Sequence, residues 1–154
     1  MKKLNVFVLL MAGCSFLVGC GGSKETVSEF KPNRELALQH YLEGSMFDQK
    51  EDYANAILEY QEALLYDKDP AVYHALAKDY TRLDKHALAA QNGKEAVKLS
   101  PDSRAYHETL AGIYINAREI DNAIAEYEQV VRVDSEYADG WHNLAGLMEF
   151  RKQI

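Results

Sequence analysis

Four histidines recur along the chain at nearly constant spacing. His40, His74, His107 and His142 are separated by 34, 33 and 35 residues. An imidazole can bind a metal ion or change its charge near pH 6.5. With no cysteine nearby and few placed carboxylates, a metal bridging two of these histidines is disfavoured, so we predict no metal and no cofactor. The alternative is that the histidines are solvated or contact a partner, which would make partner binding depend on pH.

A second reactive side chain is Cys20, at the end of an apolar run. Lys2 and Lys3 precede an apolar segment, 6–18, which is followed by Gly19 and Cys20. The segment is too short to span a hydrocarbon core of ~30 Å comfortably, and its proportions are those of a secretory signal. Cys20 is either an ordinary thiol near a plain cleavage site or a site of modification.

Leu17-Val18-Gly19-Cys20 resembles the lipobox of bacterial lipoproteins. The resemblance implies that residues 1–19 are a signal peptide removed before Cys20, and that Cys20 is acylated through its sulfur. Residues 20–33 would then be the lipidated cysteine and a flexible linker. Gly21 stands where enteric inner-membrane lipoproteins commonly have aspartate. By this resemblance we expect a periplasm-facing protein of the cell envelope, with the outer membrane favoured over the inner.

Composition excludes several classes of function. The chain has 154 residues, 47% of them hydrophobic, and a formal net charge of −7. An acidic chain lacks the positive charge that attracts phosphate backbones, so we do not expect nucleic-acid binding. The sequence contains no glycine-rich phosphate loop, no G-x-S-x-G and no H-E-x-x-H. We therefore predict that the protein is not an enzyme.

The elements that must position these side chains form a repeat. Ala56, Ala89 and Ala123 are 33 and 34 residues apart, and other small and aromatic residues follow the same period. Apolar residues within each unit recur every three or four positions, which predicts two helices per unit and an all-α fold. Pro70 and Pro101 mark helix starts. Asp52, Asp84 and Asp121 stand where the second helices are expected to begin.

The segments "YHALAKDYTRLDKHALAAQNGKEAVKLSP" (73–101) and "LAGIYINAREIDNAIAEYEQVVRVD" (110–134) resemble the tetratricopeptide repeat (TPR). The resemblance implies a helix-turn-helix solenoid of about three and a half repeats over residues 37–151. The expected units are 37–69, 70–103, 104–137 and a partial 138–151. Four tyrosines are assigned to packing rather than to chemistry: Tyr60, Tyr80, Tyr114 and Tyr127.

Such arrays commonly bind an extended peptide or a helix in the concave surface formed by their first helices. By this resemblance, ten residues would line the groove: Tyr41, Ser45, Gln49, His74, Lys78, Arg82, Glu108, Gly112, Ile115 and His142. Chaperone-binding members hold a C-terminal carboxylate with basic and amide side chains at set positions. Those positions carry other residues here, so we expect no carboxylate clamp: Tyr41, Ser45, Ala75, Ala105 and Thr109.

Residues 138–151 supply only the first helix of a fourth repeat. Five apolar residues on it exceed what packing on the third repeat should cover: Trp141, Leu144, Leu147, Met148 and Phe150. Such a patch marks an interface or an incomplete chain. We favour truncation of a longer repeat protein, with a homodimer or a partner contact through this helix as the second interpretation.

These observations predict a membrane-anchored scaffold of the bacterial cell envelope that binds a protein or peptide partner through its groove. The alternative is an N-terminal regulatory or substrate-presenting part of a longer TPR protein, with any catalytic part beyond residue 154. A third hypothesis is a histidine-based metal or pH sensor.

Overall fold

A computed structural model describes residues 32–154, which contain helices and connecting turns and no β-strand. The predicted signal peptide, Cys20 and most of the predicted linker lie outside the described residues. Seven helices follow one another in this part of the chain: α1 (Arg34–Asp48), α2 (Tyr53–Tyr66), α3 (Pro70–Arg82), α4 (His86–Leu99), α5 (Arg104–Asn116), α6 (Ile120–Val133) and α7 (Ala138–Arg151).

The helices form three hairpins, each packed on the next. The first hairpin pairs α1 with α2, the second α3 with α4, and the third α5 with α6. Successive hairpins meet through α2 and α3 and through α4 and α5, and α7 packs on α6. The first helices α3 and α5 also contact each other. This confirms the predicted all-α helix-turn-helix solenoid of three hairpins and a half.

The helix starts follow from capping side chains. The carboxylates of Asp52 and Asp69 accept from backbone N–H groups of the first turns of α2 and α3, and Pro70 occupies the first turn of α3, where no N–H is needed. Asn33 caps α1 in the same way, accepting from the Leu36 N–H at 3.2 Å. The Asn33 N–H donates to the Tyr66 carbonyl at 2.9 Å. Asn33 is therefore part of the folded body, and α1 begins three residues before the predicted repeat boundary at 37.

The turn inside each hairpin contains a residue with left-handed backbone. Glu51, Asp84 and Arg118 have φ of 59°, 55° and 61°. The N–H of the next residue then bonds back to the last turn of the preceding helix, as in Lys85 N–H to Tyr80 O at 2.8 Å. Asp84, in this turn, and Asp121, in the first turn of α6, lie within two residues of the starts of α4 and α6, but neither is the N-cap residue.

Small residues allow the helices of the solenoid to approach closely. Ala56, Ala89 and Ala123, the residues that define the repeat, have no exposed surface. At Gly44 an added Cβ would lie 2.7 Å from Cε1 of Tyr60. Tyr60, Tyr114 and Tyr127 are buried beside the small residues, and Tyr80 is partly buried against two of the core clusters. The predicted packing role of these tyrosines is thus confirmed.

Within residues 32–154, no helix combines the length and the apolar character needed to cross a membrane.

Candidate functional site

The first helices α1, α3 and α5 border two open clefts. The first cleft, of about 420 Å³, lies between α1 and α3. The second, of about 220 Å³, lies between α3 and α5. Of the predicted groove residues, Tyr41 lines the first cleft, and Lys78, Arg82 and Gly112 line the second.

The first cleft is mainly apolar with an acidic edge. Its apolar wall includes Leu38, Tyr41 and Val72, and its edge includes Asp67 and Asp69. The Tyr41 ring packs on the buried Tyr60 ring, with centroids 5.6 Å apart. Arg34 forms an ion pair with Asp67 at 3.3 Å, so one of the two edge carboxylates is already neutralised. This cleft can accept an apolar side chain flanked by a polar or positively charged group.

The second cleft has a largely apolar surface and is lined by two basic side chains and several polar ones. Three predicted groove residues, Lys78, Arg82 and Gly112, meet here, together with four others: Thr81, Thr109, Ile113 and Asn116. A Cβ added to Gly112 would meet no atom within 4 Å, so packing does not require glycine at this position. The missing side chain leaves more open space in the cleft. Two cations beside hydroxyl and amide groups favour an acidic or polar ligand segment.

His74 connects the helices that flank the second cleft. Its Nε2 lies 2.8 Å from Oγ1 of Thr109 in α5, and its ring packs against Tyr106 at 4.7 Å. Burial, and then the charge of Lys78, lower the pKa of His74 below the ordinary histidine value. His74 is therefore a neutral, partly buried link between α3 and α5 near neutral pH.

The other predicted groove residues lie outside the two clefts. Ser45 is within hydrogen-bonding reach of the Tyr60 hydroxyl, and Glu108 of the Tyr137 hydroxyl. Gln49, Ile115 and His142 are exposed and line neither cleft. Four of the ten predicted groove residues therefore line a cleft, and the others do not.

Two of the four recurrent histidines pair with glutamates of the second helix of their hairpin. His40 Nδ1 lies 2.8 Å from Glu59 Oε2, and His107 Nδ1 lies 2.7 Å from Glu126 Oε2. His107 is only 3% exposed, and its Nε2 also faces the Pro101 carbonyl at 2.9 Å. The hypothesis of solvated histidines is therefore wrong for His107. A shared separation of 19 residues between histidine and glutamate is the sequence signal that could have revealed both pairs.

A buried carboxyl lies at the interface of α1 and α3. Asp79 is 1% exposed, and its Oδ2 has no hydrogen-bond partner. Burial first, and then the neighbouring Asp48, raise the pKa of Asp79 to about 7. Burial and these two carboxylates also raise the pKa of Tyr60. An aspartate on the core side of a helix carries no distinctive sequence pattern, and sequence reasoning missed it.

Part of the apolar surface of the terminal helix α7 is buried by packing on the rest of the fold. Leu144 is 5% exposed and packs on the α6 side of the core, with Leu147 and Met148 partly buried beside it. Leu144 therefore does not belong to an exposed terminal interface. Trp141 and Phe150 are 50% and 48% exposed, and the Trp141 indole donates to the Ser135 carbonyl at 3.0 Å.

Comparison with known proteins agrees with this geometry. Residues 105–137, which span the third hairpin, match the model of the tetratricopeptide repeat family. The first TPR of Spaghetti (RPAP3), solved with the HSP90 peptide SRMEEVD, is 19% identical, with a TM-score of 0.74 over 80% of this chain and 99% of that one. The Sgt2 TPR domain from Aspergillus fumigatus is 18% identical, with a TM-score of 0.70 over 81% and 84%. The yeast Sti1 TPR2AB domain, in complex with pHSP90, is 23% identical, with a TM-score of 0.67 over 75% and 46%. The fold is therefore a TPR solenoid.

Proposed function

We propose that this chain is a lipid-anchored scaffold of the bacterial cell envelope, which binds an extended segment of a partner protein across α1, α3 and α5. The observation that carries the binding part of the proposal is the pair of clefts on these first helices. The anchor rests on the resemblance of Leu17-Val18-Gly19-Cys20 to a lipobox. The similarly folded TPR domain of Spaghetti (RPAP3) is bound to an HSP90 peptide and that of yeast Sti1 is in a complex with pHSP90, which supports peptide binding by a chain of this fold.

The clefts favour a partner segment that has an apolar side chain near one end and an acidic or hydrogen-bonding group near the other. Leu38, Tyr41 and Val72 would receive an apolar side chain in the first cleft. Lys78 and Arg82 would pair with an acidic or hydrogen-bonding group in the second. Because Ala75 and Ala105 replace polar carboxylate-holding residues, the segment need not end in a free carboxylate.

Photocrosslinking in the producing bacterium tests the groove. A photoreactive amino acid at Lys78, in the second cleft, should give a discrete protein adduct whose crosslinked peptide can be identified by mass spectrometry. The matched position is Glu128, which is exposed on α6. The groove proposal fails if Glu128 gives the same adduct, or if Lys78 gives none.

Cell fractionation tests the anchor separately. Replacing Cys20 with serine removes the sulfur that would carry the lipid, so metabolic labelling with a fatty acid should disappear and the chain should leave the membrane fraction. Cys14→Ser, which leaves the lipobox cysteine intact, should keep the label. An unmodified wild-type chain would contradict anchoring without affecting the groove.

A second candidate is the interaction arm of a longer TPR protein. The half-exposed Trp141 and Phe150 on α7 favour it, because a further helix would cover them. Reading the coding sequence past the Ile154 codon tests this candidate. A continued frame encoding a second helix supports it, and an immediate stop codon rejects it.

A further inference from the structure

We propose that the first hairpin holds a divalent transition-metal ion, such as Zn²⁺, on His40, Glu43 and Glu59. One ligand atom from each residue can be chosen so that all three atoms lie within 4.8 Å of one another. This site is separate from the two clefts and does not depend on the scaffold function.

The three side chains come from two helices that hold them in place. His40 and Glu43 are one turn apart on α1, so they project from the same side of that helix. Glu59 comes from α2, with Oε2 2.8 Å from His40 Nδ1. The His40 ring stacks on Tyr66, with centroids 5.6 Å apart and planes 4° from parallel. Gln39 donates to Glu43 Oε1 at 3.0 Å, which orients this carboxylate.

The internal repeat shows that Glu43 is an exception. At the equivalent position of the next three units the chain has Leu76, Leu110 and Leu144. All three leucines are buried, with exposures between 1% and 5%. The first unit thus places a carboxylate, beside a histidine and a second glutamate, where the repeat otherwise uses an apolar core residue.

The third hairpin provides an internal contrast. His107 and Glu126 occupy the positions of His40 and Glu59, but Leu110 stands in place of the third ligand. Pro101 O also lies 2.9 Å from Nε2 of His107, so both ring nitrogens have protein partners. That pair is a buried structural contact. The partly exposed first-hairpin cluster keeps access to water, which a metal with only three protein ligands needs.

The chemistry of the donor set favours a divalent cation. Two ionised carboxylates at this separation repel each other, and a cation between them reverses the sign of that interaction. One imidazole nitrogen with two carboxylate oxygens is a ligand set that suits Zn²⁺ and its neighbours, which bind such atoms at about 2.0–2.2 Å. Side-chain rotation would bring the three atoms to these distances.

Calorimetric titration of the metal-stripped full chain with Zn²⁺ tests the proposal. The matched variants are Glu43→Gln, which removes a ligand, and Glu35→Gln, which removes the same charge from an exposed position of the same helix. We expect each chain to bind one Zn²⁺ at a site that requires Glu43. The affinity of this site for Zn²⁺ should fall at least about 10-fold in E43Q and stay unchanged in E35Q. Because Cys14 and Cys20 are identical in all three proteins, any thiol binding cancels in this comparison.

Nitrogen NMR of the histidine rings supplies a second readout. Zn²⁺ should shift the His40 ring resonances and leave those of His107 in place. Thermal unfolding of E43Q shows whether it is folded, and Glu59→Gln replaces it in the comparison if it is not. Equal Zn²⁺ affinity in E43Q and E35Q, binding that leaves His40 unshifted, or no saturable binding by the wild-type chain would overturn the proposal.

Discussion

At the residue scale, the most unusual group is the buried carboxyl of Asp79. Its environment opposes ionisation, because burial removes water and Asp48 is a like charge. A carboxyl whose pKa is raised on folding binds its proton more tightly in the folded state. Stability is therefore lost as the pH rises from about 4 to about 7, and the penalty persists above that range.

Asp79→Asn should consequently stabilise the protein at high pH. Asparagine has a similar shape, does not ionise and can donate to the Asp48 carboxylate. We expect the free energy of unfolding to rise by about 1–3 kcal/mol at pH 8, and the gain to shrink towards pH 4.5. Urea unfolding at both pH values measures the difference. Glu128→Gln, on the exposed face of α6, should change little; a gain in D79N that does not depend on pH would contradict this explanation.

Two glycines test how closely the helices pack. An alanine Cβ at Gly44 would lie 2.7 Å from the buried Tyr60 ring, which itself packs against Tyr41, so the ring cannot move freely. We expect Gly44→Ala to destabilise the protein by about 1–2 kcal/mol despite the better helix propensity of alanine. Gly112→Ala, with open space around its Cβ, should instead stabilise it by about 0.5–1 kcal/mol. Thermal unfolding of both variants checks the signs, and equal shifts would contradict this packing.

At the element scale, the hairpins share one turn geometry although their turn sequences differ. Glu51, Asp84 and Arg118 all adopt left-handed backbone with no glycine among them. The geometry places the next N–H against a carbonyl of the preceding helix and reverses the chain in a few residues. A non-glycine residue there carries a conformational cost of about 1 kcal/mol.

Arg118→Gly should remove that cost. We expect stabilisation by about 0.5–1 kcal/mol, because glycine adopts left-handed backbone without a Cβ clash. The neighbouring Ala117 has φ of −78° in the right-handed helical region, so Ala117→Gly should destabilise the protein. Chemical unfolding measures both free energies. If both variants have a lower free energy of unfolding than the wild-type chain, the left-handed backbone at Arg118 is not a source of instability.

At the scale of the whole molecule, the described part is a one-dimensional stack. Helices contact their neighbours in sequence, with α3 and α5 the closest link between first helices. In such arrays stability is approximately a sum of repeat and neighbour-interface contributions, so a defect has a local effect. The terminal helix α7 packs mainly on α6, and its Leu147 also packs against a core cluster that includes Leu110 and Tyr114 of α5.

Leu144→Ala should therefore unfold one end without unfolding the rest. Removing this buried side chain leaves a cavity and weakens the α6–α7 contact by about 2–4 kcal/mol. We expect amide hydrogen exchange to accelerate in α7 and to stay unchanged in α1–α4. Leu76→Ala, at the equivalent position of the second hairpin, should accelerate exchange on both sides of α3. Uniform acceleration in L144A would show that the stack behaves as one cooperative unit.

The sequence by itself determined the fold of this protein. The repeat period is visible in the spacing of Ala56, Ala89 and Ala123, because close helix approach requires small residues at these positions. A helix start is visible at Pro70, because proline has no N–H and is tolerated in the first turn of a helix. Asp84 and Asp121 indicated the starts of α4 and α6 only to within two residues, because the N-cap positions are occupied by Lys85 and Glu119, which make no capping side-chain hydrogen bond.

Only the tertiary structure decided which side chains meet. The Asp48–Asp79 contact, the two clefts and the cluster of His40, Glu43 and Glu59 join residues from different helices. Whether α1 places a carboxylate against α2 or α3 depends on the rotation and separation of whole helices. The packing of small residues sets these quantities, and the period of the sequence leaves them open.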